Sequence, residues 1–314
     1  MSRIAVITSR TVPLGGPRAM TVRRTLPQRA RSLIGAWCFI DHYGPDDVAT
    51  TGGMDVPPHP HTGLQTVSWL FAGSIEHRDS GGVRALIKPG ELNLMTAGSG
   101  VAHSEVSTTG TTQLHGVQLW IALPDAARDI DRAFAHHVPE LILVSAGTIR
   151  VMIGTLAGHR SPVPTHSPLV GAEITLQPTS ALDLDVDATF EHGVLVDHGA
   201  IEMDGTRLSR AELGYRPPGS DHLRLTNPGT APARLMLIGG EPFTEPLLMW
   251  WNFVGRSHDE IVQFREEWQA ASDRFGTVDG YRGRIPRLPA PLMPNARLRP
   301  RLTPPGPRDP SAWG

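Results

Sequence analysis

From Gly35 to Gly240 the chain is broken into apolar runs of four to eight residues, closed by Gly, Pro or Asp at intervals of about a dozen. Runs this short can cross a sheet but cannot build a helix of ordinary length, so the pattern predicts strands and hairpins. Leu64 to Phe71, Arg84 to Ile87, Leu141 to Val144 and Leu235 to Ile238 are examples, and Leu114 to Leu123 is a longer run of ten interrupted by Gly116. The 33 glycines and 29 prolines, about a fifth of the 314 residues, supply turn geometry and withdraw helical donors. One segment departs from this: Ser257 is a candidate N-cap with Glu260 three residues on, and Ile261, Phe264, Trp268 and Ala271 follow at helical spacing. The expected fold is all-β with one amphipathic helix over about 257–273.

The β region contains an internal repeat. The stretch from Leu70 to Glu76 (LFAGSIE) resembles Val196 to Glu202 (VDHGAIE), and Lys88 to Leu92 (KPGEL) resembles Leu208 to Leu213 (LSRAEL), so that His103 falls near His222. A period above a hundred residues indicates a duplicated domain rather than a solenoid. Each half is expected to be a small barrel or double-sheet jelly roll, which protects its edge strands by folding the sheet over itself. The expected division is 1–130 for the first barrel, 131–284 for the second including the helix, and 285–314 for an extended Pro/Arg-rich tail. Residues 285–314 hold nine prolines, which forbid regular sheet or helix.

Charge and cysteine usage exclude several partner classes. Lys and Arg total 29 against 31 Asp and Glu, so no global field attracts nucleic acid or an anionic membrane. A single cysteine, Cys38, rules out an intramolecular disulfide, and the N-terminus carries no apolar signal-peptide core. No run approaches the roughly 18 apolar residues that a membrane helix needs. A monomer in a reducing cytoplasm is expected.

The informative residues are histidines. Of fourteen, His42, His115, His136, His137, His159, His166, His192, His198 and His258 show no ligand-like spacing and are expected at the surface or in ordinary hydrogen bonds. His59-Pro60-His61 differs, because His103-Ser104-Glu105 follows forty-two residues later. In a strand, residues i and i+2 share a face, so two such strands side by side would aim three imidazoles and one carboxylate at one point. That donor set suits one divalent transition metal. Gly53 with five residues before His59-x-His61, and Gly90 with five before Thr96-x-Gly98, match the paired cupin signatures apart from Thr in place of the usual Pro.

Three stretches, PHPHTGLQTVSWLFAGSIEHRDSGG, PGELNLMTAGSGVAHSEV and, more loosely, GGEPFTEPLLMWWNFVGRSHDEI, are similar to the pirin family of bicupins. The resemblance runs to about Ile285. It implies two jelly-roll (cupin) β-barrels packed face to face, with iron in the N-terminal one held by His59, His61, His103 and Glu105. It also implies either quercetin 2,3-dioxygenase activity or iron-dependent transcriptional coregulation. Gln65 stands where the family usually has Glu, and Gly98-Ser99-Gly100 where it often has G-R-G. In the second half, Asp185 and Asp187 align with the first two histidines and Arg224 falls near the position of Glu105, so no metal site is expected there.

Three histidines and one carboxylate leave two positions of an octahedron open, as mononuclear oxygenases require; iron(II) is the expected ion, with Ni, Co, Cu and Mn compatible. Glu105 is the candidate general base, since bound imidazoles must be neutral. Gln65 and His77 are candidates to orient the ligands. Trp37, Phe39, Trp69 and Trp120 are candidates for an aromatic cavity wall, although such residues more often fill barrel core. The expected substrate is a small aromatic or enol compound plus O2; the alternative is a redox-responsive binding protein that contacts a regulatory partner.

Overall fold

The aliphatic side chains of the second half alternate along each strand, which dictates a closed double sheet. Leu182 and Leu184, Val194 and Val196, Leu223 and Leu225, and Leu235 and Leu237 are all buried in one cluster. Side chains two apart share a face, so each strand presents an apolar face inward. The computed structural model describes residues 4–14 and 20–301.

In the second barrel a seven-stranded antiparallel sheet runs, in spatial order, Ala5–Thr8, Glu212–Arg216, Glu191–His198, Ala233–Gly240, Leu169–Leu176, Gly147–Ile153 and Ile142–Val144. It faces a four-stranded sheet of Ser180–Asp185, His222–Asn227, Ile201–Met203 and Thr206–Leu208. The first barrel repeats this plan. Its large sheet runs Ala133–His137, Leu92–Thr96, Leu64–Ala72, Gln113–Ala122, Trp37–Asp47, Thr21–Leu26 and Arg10–Pro13, facing Asp55–His61, Val101–Ser107, Ile75–Asp79 and Arg84–Ile87. The two four-stranded sheets have the same order, as the internal repeat requires. Two strands depart from the expected division at residue 130: Ala5–Thr8 pairs with Glu212–Arg216 of the second barrel, and Ala133–His137 pairs with Leu92–Thr96 of the first.

The two large sheets pack on one another. Trp37, with no exposed surface, donates through Nε1 to Gly239 O at 3.1 Å, and Trp69 Nε1 donates to Glu173 Oε2 at 2.7 Å. Both indoles therefore lie between the barrels. The backbones touch where Gly35, at φ 53°, meets Gly240; a Cβ on Gly35 would lie 2.7 Å from the Gly240 Cα.

The helix spans His258–Gln269, and the Ser257 side chain accepts from the Glu260 amide. It ends earlier than the periodicity predicts, because Ala271 turns to φ 55°. Ile261, Phe264 and Trp268 bury their side chains beside Phe253 and Phe275. The described part of the Pro-rich segment lies along this helix. Trp268 Nε1 donates to Leu288 O at 2.8 Å, the Ala290 amide donates to Gln269 Oε1 at 2.8 Å, and the Leu298 amide donates to His258 Nδ1 at 3.0 Å. The remaining tail residues, 302–314, lie outside the described residues. Among the described residues no helix is long and apolar enough to cross a membrane.

Candidate metal centre

Prolines at 57, 58 and 60 leave the Asp55–His61 strand few donors, yet it pairs with Val101–Ser107, with His59 directly opposite His103. A register shift between His103 and Glu105 interrupts that ladder. On its other side, Val101–Ser107 sets Glu105 opposite His77 and His103 opposite Asp79. Local geometry thus places His59, His61, His103, Glu105 and His77 on one inner face. All five are buried.

The ligand atoms of His59, His61 and His103 lie within 4.8 Å of one another. Glu105 belongs to a second such group, with His77 and His103. The hydrogen bonds behind the rings fix which nitrogens face inward. His59 Nδ1 donates to Pro57 O at 2.8 Å and His61 Nδ1 to Asn252 O at 3.2 Å. With one proton per ring, both Nε2 atoms then carry lone pairs. His77 Nε2 lies 3.1 Å from Asp79 Oδ2 and donates to it, so His77 Nδ1 is an acceptor. His103 Nδ1, 3.4 Å away, donates to that acceptor, and His103 Nε2 is left with a lone pair. His61 Nε2 and His103 Nε2 stand 3.1 Å apart.

Converging lone pairs in a buried site repel unless a cation lies among them, so the donor set fits a metal ion. Burial also holds the rings neutral, as coordination requires. It lowers the His59 pKa to about 4 and, with the neighbouring histidines, holds His61 and His103 well below the usual imidazole value. Burial raises the Glu105 carboxyl, against the opposing influence of His77 and of a hydrogen bond from Ser68. Ser68 Oγ is 3.0 Å from Glu105 Oε1 and 2.9 Å from Gln118 Oε1. One hydroxyl proton serves one acceptor, so the consistent order has Ser68 donating to Glu105 and the Gln118 amide turned to donate to Ser68.

The three imidazoles and Glu105 open into a cavity of about 340 Å3. One wall is aromatic: Phe39 and Trp120 stack at 4.0 Å, and His61 meets Trp120 edge-on. Arg24 lies 4.3 Å over the Phe39 ring and holds Asp41 through two bonds of 2.6 and 2.7 Å. Leu288 of the Pro-rich segment and Trp251 also line the cavity. Of the four candidate wall residues, only Phe39 and Trp120 reach it. Gln65 does not contact the imidazoles; it donates to Thr96 Oγ1 at 2.9 Å. The pleat explains this, because Gln65 shares a face with Trp69 toward the second barrel, whereas Ser68 faces inward. His77 does reach His103, through the hydrogen bond described above.

A third cluster was not legible in the sequence. His42, His115 and the second-barrel residue Asp197 are buried together, with His42 Nε2 2.7 Å and His115 Nε2 2.5 Å from Asp197 Oδ1. Arg234 Nε is 2.7 Å from Asp197 Oδ2, Arg23 Nε is 3.5 Å from His42 Nδ1, and Arg234 Nη2 is 3.5 Å from His115 Nδ1. Every proton here meets an acceptor, and two guanidinium groups oppose a cation. This cluster is an inter-barrel clasp, the converse of the site at His59. In the second barrel His222 lies at the surface beside Asp183, 3.2 Å away.

Residues 19–121 match the model of the Pirin family, and residues 171–276 match the Pirin C-terminal cupin domain. The chain belongs to the pirin family. Among pirins, it is 44% identical over 291 residues to a Pseudomonas aeruginosa protein named as a candidate quercetin 2,3-dioxygenase, covering 92% of this chain and 90% of that one. It is 38% identical over 272 residues to a pirin-like protein of Caulobacter vibrioides, covering 82% and 91%. The crystal structure of a quercetin 2,3-dioxygenase from Acinetobacter baumannii superposes with a TM-score of 0.89 at 37% identity, over 95% of this chain and 97% of that one.

Proposed function

We propose that this pirin binds one iron(II) through His59, His61, His103 and Glu105 and uses it to oxygenate quercetin or a related flavonol with O2. The observation that carries the reading is the convergence of three Nε2 lone pairs beside a buried carboxylate, in a cavity with a stacked aromatic wall. Similarity to proteins named for quercetin 2,3-dioxygenase supports the choice of substrate class. When bound, the metal would supply Lewis acidity and redox access to O2. The protein's own residues do the rest. Glu105, whose carboxyl is raised by burial, is the base that receives the enol proton, and Ser68 and Gln118 hold it in place. His77 fixes the His103 tautomer, with Asp79 behind it. Trp120 and the edge of Phe39, whose faces are covered by Trp120 and Arg24, give the substrate an apolar wall, and enclosure by Trp251 and Leu288 excludes water from it.

The test is oxygen uptake. Protein loaded anaerobically with iron(II) is expected to consume O2 when quercetin is added, and His103→Ala to lose both metal and turnover. Stoichiometric iron with no uptake across a panel of flavonols would instead favour a redox-responsive binding protein.

A further inference from the structure

The reverse face of the strand that carries His103 and Glu105 has a site of its own. Ser104 points away from the imidazoles, is 1% exposed, and its hydroxyl has no hydrogen-bond partner among the described residues. It lies in the wall of an outer cavity of about 820 Å3 between the Ile75–Asp79 and Val101–Ser107 strands and the segment 280–284. Four arginines line this cavity, Arg78, Arg84, Arg282 and Arg284, against two carboxylates, Asp55 and Glu76. The excess is two positive charges.

The pairing within the cavity leaves most of that charge available. Glu76 takes Arg78 Nε at 2.7 Å and Arg84 Nη2 at 2.7 Å, so one carboxylate is shared between two guanidinium groups. Asp55 accepts from the Tyr281 hydroxyl at 2.7 Å, which ties the 280–284 segment over the sheet. Gly280, at φ 75°, lets that segment close onto Arg78: a Cβ there would lie 2.5 Å from Arg78 Nη1. Arg282 and Arg284 are exposed and hold no ion pair among the described residues. The 280–284 segment is thus anchored so that its two arginines face a cavity that already holds two more, beside a buried hydroxyl with an unused proton.

We infer that this cavity binds a phosphate monoester or free phosphate. A dianion matches the excess charge, planar guanidinium forks match phosphate oxygens, and the Ser104 hydroxyl supplies a further donor at depth. Nothing in this inference depends on the metal or on oxygenase activity.

Calorimetric titration of the full-length protein with inorganic phosphate and with phenyl phosphate, at fixed ionic strength, tests it. Saturable 1:1 binding of mutually competing probes is expected. Tighter binding of phenyl phosphate would identify an organic ester as the occupant, and equal or tighter binding of inorganic phosphate the free ion. The Arg282→Ala/Arg284→Ala variant removes two exposed side chains without touching the core and should weaken binding at least tenfold. Ser104→Ala should weaken it severalfold, and His103→Ala should leave it unchanged. Absence of saturation overturns the inference, as does binding that survives the double arginine change or is lost with His103→Ala.

Discussion

Ser68→Ala removes one oxygen from the candidate centre, the one that links Glu105 to Gln118. Its hydroxyl, 3.0 Å from Glu105 Oε1, is the side-chain donor that steadies a carboxylate buried deeply enough for its pKa to be raised. A hydrogen bond to a charged group contributes about 1.5–3 kcal/mol, or roughly 10- to 150-fold in an equilibrium constant. Without it Glu105 holds its proton more firmly and loses one fixed orientation, and both effects oppose coordination. Iron(II) affinity, measured by competition with a chromophoric chelator under anaerobic conditions, should therefore fall by about 10- to 100-fold, the range typical of groups that orient metal ligands. Ser68→Thr keeps a hydroxyl at that position and should recover most of the loss. Unchanged affinity in Ser68→Ala would refute the reasoning, because Glu105 would then not need this donor.

Two further predictions concern stability. His192 is buried with both ring nitrogens unpartnered among the described residues, and burial followed by the Arg216 charge lowers its pKa to about 4. Between pH 6.5 and 4 the unfolded chain takes up a proton there that the folded chain refuses, so stability falls as pH falls, by about 3 kcal/mol in total. Denaturant unfolding of His192→Leu should lack that part of the pH dependence; superimposable pH profiles for variant and wild type would contradict it. Asp197→Asn strips the charge from the inter-barrel clasp and leaves Arg234 unbalanced, a change that costs about 3–5 kcal/mol for a buried ion pair. Unfolding should shift accordingly with iron content per folded chain unaltered, whereas a shift below about 1 kcal/mol would place the pair among weak surface contacts.

The sequence made local patterns readable and long-range ones unreadable. Strand alternation, the Ser257 cap and the two i, i+2 triplets are local, and they led to the barrels, the helix and the inner-face histidines. Ser68 could have been found too: Thr66 and Ser68 alternate with the apolar Val67 and Trp69, marking the face turned toward the site. The clasp could not, because His42 and Asp197 are separated by 155 residues and neither has a distinctive neighbour. Asn252, 191 residues from His61, is equally silent, since it contributes only a backbone oxygen. Trp37 and Trp69 were ambiguous for a related reason: residue type shows that an indole is buried, but only the packing of the two large sheets shows against what. Gln65 was misplaced by motif proximity, being adjacent in sequence to the site but on the outward side of the pleat. Over residues 285–300 the prolines leave neither strand nor helix, and residues 302–314 lie outside the described residues. The backbone groups between these prolines, the Leu288 carbonyl and the Ala290 amide, instead bond to the Trp268 and Gln269 side chains, which no local rule anticipates.

The central claim is that one metal ion binds where three imidazole lone pairs converge, and only there. Metal content per chain after anaerobic iron(II) loading and desalting tests it most directly. One ion is expected in the wild type and in Asp185→Ala and Arg224→Ala, and none in His61→Ala. Two ions in the wild type, a loss in either second-barrel variant, or an ion retained by His61→Ala would contradict the account.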